Sequence, residues 1–133
     1  MTEATVNYAL ARTLDLSFEE ADERVRAALK DEGFGVLTEI DVKATLKEKL
    51  DEEFQQYKIL GACNPPLAHQ ALQHEIDIGL LLPCNVVVRA LDDGRTVVEA
   101  MDPVQQLAVA DNPDLPAMAQ QVRERMERVI AAL

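Results

Sequence analysis

At 133 residues, with 48% of them hydrophobic, the chain has the size and apolar content of one domain built on one core, which excludes a disordered segment. Acids outnumber bases 24 to 13, a net charge of −11, which excludes nucleic acid and anionic membrane surfaces as partners. Aromatics make up only 4%, without Trp, so packing must rest on aliphatic side chains and few rings remain to stack on bases.

In chain order, Thr5–Thr13 alternates as an opening strand with Val6, Tyr8 and Leu10 on one face. Ser17 and Glu20 have the spacing of a capping box. Phe18, Ala21, Val25, Ala28 and Leu29 follow at helical period, and Gly33 ends the helix. Phe34–Ile40 reads as a second strand. Asp41 caps a short helix whose Val42, Leu46 and Leu50 line one side. Tyr57–Cys63 is a third strand, and Asn64-Pro65-Pro66 starts a helix to about His74, with prolines where a missing N–H costs nothing. Leu80–Leu82 reads as a bend at Pro83. Asn85–Leu91 and Arg95–Met101 form a hairpin around Asp92-Asp93-Gly94. Asp102-Pro103 opens a short helix to about Val109. A last helix from about Leu115 to Ala132 buries Met118, Val122, Met126, Val129, Ile130 and Leu133. The order predicts a single α+β domain over residues 1–133, with one mixed or antiparallel sheet of about five strands and helices mainly on one face.

Three blocks then stand out: Lys58-Ile59-Leu60-Gly61-Ala62-Cys63-Asn64-Pro65-Pro66-Leu67-Ala68-His69, Leu82-Pro83-Cys84-Asn85-Val86-Val87-Val88 and Met101-Asp102-Pro103. With Glu32-Gly33-Phe34-Gly35-Val36-Leu37-Thr38-Glu39-Ile40-Asp41, and in this order, they resemble the domain of unknown function 302 family from Phe18 to the last helix. The resemblance implies a small α+β protein, dimeric, with no established reaction. Some members carry Gly where Cys63 stands and keep the Asn-Pro, Leu-Pro and Asp-Pro pairs, so this chain falls in the cysteine-bearing branch.

Read as chemistry, the blocks put Cys63, Asn64, Cys84, Asn85 and Asp102 at strand ends, where ligands gather. Cys63 precedes a helix N-terminus, which favours a thiolate; the competing reading is a small buried hydrophobe. Cys63, His69 and Cys84 form a candidate set for a soft metal ion, with Asp102 as a fourth donor, although their spacing matches no standard zinc signature. Glu39 is a candidate ligand or acid–base carboxylate without a capping role, whereas Asp41 and Asp102 are explained as caps. No P-loop, dinucleotide or hydrolase motif is present, and Ser17, the only serine, is spent as a cap.

Three functions remain open. One is a small-ligand or metal-binding module at Cys63, Asn64, His69 and Cys84; another is a thiol enzyme or redox sensor using Cys63 and Cys84; the third is a structural or interaction domain. A homodimer is expected, through the last helix and the hairpin strands. No apolar run approaches the ~20 residues that span a bilayer. Met1–Ala11 has neither the basic start nor the apolar stretch of an export signal. Two cysteines without such a signal read as reduced thiols, so the expected location is the cytoplasm.

Overall fold

The computed structural model describes residues 6–133. Five strands form one sheet in the order β1-β5-β4-β3-β2, with every neighbouring pair antiparallel. The strands are β1 (Ala9–Leu14), β2 (Gly35–Asp41), β3 (Tyr57–Cys63), β4 (Cys84–Ala90) and β5 (Thr96–Met101). The helices are α1 (Phe18–Asp31), α2 (Val42–Leu50), α3 (Pro65–His74), α4 (Pro103–Ala108) and α5 (Pro116–Ala131), with a 3₁₀ helix at Ile76–Leu81. Of the two expected pairings, mixed and antiparallel, the sheet is the antiparallel one. The steps from β2 to β3 and from β3 to β4 each carry a helix yet return to the adjacent strand.

Strand alternation sends Leu60, Ala62, Cys84, Val86, Val88, Val98 and Ala100 to one face, where they join the core cluster. On that face α1 lays down Phe18, Ala21, Val25, Ala28 and Leu29, all buried and all at the expected positions. The start of α1 is fixed by Ser17, whose Oγ accepts from the Glu20 N–H at 3.2 Å and donates to the Glu20 carboxylate at 3.0 Å. The carboxylate therefore closes the box on the serine hydroxyl. Gly33, at φ +83°, supplies the left-handed stop that a side chain would resist. All six apolar residues expected of the last helix are buried, so its stripe is spent on the core.

Four local expectations are corrected. β1 begins at Ala9, because its partner β5 ends at Met101; Val6 and Tyr8 run past the sheet and are half exposed, while Thr5 lies outside the described residues. Helix α2 is capped as expected, Asp41 Oδ1 accepting from the Ala44 N–H at 2.9 Å. It nevertheless buries no residue, and Leu50 is 64% exposed. It bridges two adjacent strands and finds no second layer to pack on. The stretch before Pro83 is a 3₁₀ helix that buries Ile78 and leaves Ile76 and Leu80 in solvent. Finally, Cys84 begins β4, one residue before the expected start at Asn85, so this thiol belongs to the sheet.

Candidate functional site

The end of β3, the starts of β2 and β4 and helices α3, α4 and α5 enclose a cavity of about 310 Å³. Its walls are apolar: Phe34, Ala62, Leu67, Leu107, Met118 and Val122. Leu37 and Leu72, which are 67% and 37% exposed, form an apolar lip. Cys63, Asn64 and Cys84, three of the residues singled out from the sequence, also line it. Among the described residues, no acid, amine, guanidinium or imidazole is in the wall.

Local sequence explains this composition. Asn64 caps α3, its Oδ1 accepting from the Leu67 N–H at 3.3 Å, and is itself buried. Pro65 and Pro66 have no N–H to present, and the Ala68 N–H is taken by the Asn64 carbonyl at 2.9 Å. The start of α3 therefore offers the cavity no free N–H from its first four positions. Helix α4 repeats the pattern: Pro103 opens it, and the Val104 N–H is bound by Asp102 Oδ1 at 2.9 Å.

This arrangement reverses the expectation for Cys63. An N-terminal thiolate needs donors or a cation beside it. Here no cation is among the wall residues and the N–H groups that open α3 are spent within the fold, while burial pushes the Cys63 thiol up from its ordinary value. Cys84 is pushed up to about 11 by burial, with a smaller contribution from Cys63 nearby. Both cysteines are unpaired thiols. Cys84 lies opposite Ala62 in the ladder, so Cys63 stands one position along on the alternate face.

The other candidates lie elsewhere. His69 is exposed and outside the cavity. At 100° per residue, Leu67 and Ala71 fix the inward face of α3, and His69 points roughly 160° away from either. The proposed Cys63, His69 and Cys84 metal set is therefore not assembled. Among the described residues, no three of His, Cys, Asp or Glu are grouped to hold a metal ion. Asn85, one residue beyond Cys84, turns to the opposite sheet face and is exposed.

Glu39 is engaged in an ion-pair network with Arg26 and with Lys58 Nζ at 3.5 Å, on the α1 side of the sheet. Asp102 is 2% exposed and fully used within the fold. Besides capping α4, its Oδ2 accepts from Arg123 Nη1 at 2.7 Å and Gln105 Nε2 at 3.2 Å.

One wall residue escaped the sequence reading. Gln106, on α4, donates through Nε2 to the Leu81 and Pro83 carbonyls, the latter at 3.2 Å. Those two acceptors fix the amide orientation, because a flipped amide would set oxygen against oxygen. Its Oε1 is left buried with no partner. In the sequence, a Gln on a six-residue helix carries no signal beyond its place next to the buried Leu107.

Residues 10–133 match the family described as Domain of unknown function DUF302. The chain belongs to the DUF302 family. The crystal structure of an uncharacterized conserved DUF302 protein from Bacillus stearothermophilus is similar over 96% of this chain and 98% of its own, at 28% identity and a TM-score of 0.87. No curated protein matches the chain. Among the described residues of this DUF302 chain, no helix is long and apolar enough to cross a membrane.

Proposed function

We propose that this DUF302 protein is a small-ligand-binding module whose site is the cavity between α3, α4, α5 and the strand ends. The observation that carries the reading is an apolar hollow of about 310 Å³ with a solvent-exposed apolar lip. Ligand sites typically measure ~300–1,000 Å³ and combine apolar walls with a few polar groups. Asn64, Gln106 and the two neutral thiols supply those groups. Raised thiol pKa values argue against the alternative of a nucleophilic or redox cysteine, which needs thiolate. Two unpaired thiols suit a reducing compartment such as the cytoplasm.

The test uses N-phenyl-1-naphthylamine, a neutral dye that fluoresces on leaving water. The protein is expected to enhance its emission, and Ala68→Trp, which fills the cavity from a half-buried wall position, to abolish that enhancement. A protein that leaves the dye dark, or a Trp variant that binds it as well as wild type, ends the reading.

We also infer that the protein works as a homodimer joined through the sheet face that α1, α3, α4 and α5 leave uncovered. Alternation gives this face Ala11, Ile59, Val87 and Met101, with Val97 on the same face already fully buried, and only two charges, Arg89 and Glu99, paired at 3.1 Å. In a chain of net charge −11 this is a neutral surface where two copies repel least. The strand spacing and length give it a footprint of roughly 20 × 20 Å before rim side chains, and a standard interface takes ~800 Å² per partner. The earlier expectation of the last helix at the interface is dropped, since its stripe is buried. Light scattering should find twice the 14.7 kDa of the chain, and Val87→Lys or Ala11→Arg should halve it. A monomeric wild type, or a dimer indifferent to both substitutions, refutes the interface.

A further inference from the structure

The geometry points to a second binding surface, an apolar patch at the 3₁₀ helix that docks a basic amphipathic helix of a partner protein. Its residues lie outside the cavity walls, and it does not depend on the cavity being a ligand site.

Leu80, Ile76 and Val109, exposed at 88%, 79% and 72%, are the three most exposed large apolar side chains among the described residues. The fold brings them together. The stretch that ends α4 runs beside the 3₁₀ helix in the opposite direction. Gln106 Nε2 donates to the Leu81 and Pro83 carbonyls, and Asn112 Nδ2 donates to the Glu75 carboxylate at 3.4 Å. Val109, midway between Gln106 and Asn112 in the chain, therefore stands beside the middle of the 3₁₀ helix. There Ile78 is fully buried, and at three residues per turn Ile76 and Leu80 take the two outward flanks. Contiguous apolar surface of this kind, bordered by polar residues, marks an interaction site.

Charge says what covers it. All 13 Lys and Arg residues lie outside residues 59–88 and 96–122, the two stretches that hold this surface. Of the acids in those stretches, Glu99 is paired with Arg89 on the sheet and Asp102 is buried against Arg123. The others, Glu75, Asp77, Asp111 and Asp114, border the patch. Glu75 and Asp77 flank Ile76 in the chain, Asp111 follows Val109 by two residues, and Asp114 Oδ2 lies 3.8 Å from His74 Nδ1. Asp77 and Asp111 are exposed and have no ion-pair partner among the described residues. Apolar knobs among acids are matched by an apolar stripe with Lys or Arg on its flanks, which is what a basic amphipathic helix presents. An anionic lipid surface would be repelled by the same acids. A second copy of this chain would set them against themselves.

The experiment titrates a short labelled amphipathic peptide of leucine and lysine and follows its fluorescence anisotropy at about 0.15 M salt, where exposed charges more than ~8 Å apart are largely screened. Wild type is expected to bind it. Ile76→Ser combined with Leu80→Ser keeps every charge and should weaken binding by about tenfold or more. Asp77→Lys and Glu48→Lys change the net charge equally, but Glu48 is an exposed residue of α2. Asp77→Lys should therefore weaken binding about three- to tenfold more than Glu48→Lys does. Circular dichroism melts check that each variant is folded. A peptide that stays free, a double serine variant that binds it like wild type, or two lysine variants that lose equally overturns the inference. So does either competing occupant: phosphatidylcholine vesicles that retain wild type and release the double serine variant, or a light-scattering mass that falls in that variant.

Discussion

Gly61→Ala probes how tightly the strand ends are closed beside the cavity. Gly61 sits in β3 opposite Thr38 on one side and Asn85 on the other. A methyl group there would stand 2.1 Å from Thr38 Oγ1 and 2.9 Å from Pro83 Cγ. The exposed Thr38 side chain can relieve its clash only by leaving its rotamer, and the Pro83 ring has no such freedom, so both contribute and the backbone must yield. Overpacking of this kind costs about 1–3 kcal/mol. Replacing glycine within a strand returns about 0.5–1 kcal/mol of chain entropy. The net expectation is a loss of about 1–2 kcal/mol, or about 3–7 °C in Tm for a chain of this length. Urea denaturation followed by circular dichroism measures it. In the Gly61→Ala background, Thr38→Ala removes the 2.1 Å contact and keeps the 2.9 Å one, so part of the loss should return. A Gly61→Ala variant as stable as wild type, or a double variant that recovers nothing, refutes the reasoning.

Cys84 is expected to resist iodoacetamide at pH 8 while the unfolded chain reacts at both cysteines, as peptide mass spectrometry will report. Because burial raises its folded pKa from 9.0 to about 11, its contribution to stability is complete below pH 9 and lost as pH rises towards 11. Cys84→Ala should flatten that part of the stability–pH curve, and an unchanged slope counts against burial as the cause. Asp102→Ala should cost about 1 kcal/mol for the cap alone. The total should exceed that of Asp41→Ala, whose cap is exposed, because the Arg123 and Gln105 contacts go too; chemical denaturation of both variants gives the comparison. Met126→Ala, at a fully buried site, should lose about 2–5 kcal/mol, whereas Leu50→Ala on the surface of α2 should stay within about 0.5 kcal/mol of wild type.

Elements whose signals are local were readable from the chain. The Ser17 cap with its five-residue stripe, the Asp92-Asp93-Gly94 hairpin and the stripe of α5 each carry their own start, stop and buried face. The misreadings share a cause, which is that a neighbour decides them. β1 starts where β5 ends, and Leu46 and Leu50 repeat at helical spacing on a helix that has nothing to lie against. The site followed the same division. Cys63, Asn64 and Cys84 were marked by adjacent prolines and do line one cavity, whereas His69 was misplaced by the phase of α3. Gln106 was missed because its importance comes from two carbonyls around Pro83, more than twenty residues away in the chain. The cavity lip at Leu37 depends on a register shift between Val36 and Thr38 that no residue pattern announces.

The position of β1 at the sheet edge has a consequence for how the chain is made. All six of its residues pair with β5, about 80 to 90 residues downstream, so the first strand to leave the ribosome is the last to find a neighbour. At ~5–20 residues per second, Ala9–Leu14 waits roughly 5–20 s for Thr96–Met101 to be translated. The buried stripe of α1 waits with it, since its sheet contacts are largely with β4 and β5. A nascent chain halted before Thr96 therefore exposes both, and is the form of this protein that most needs a chaperone.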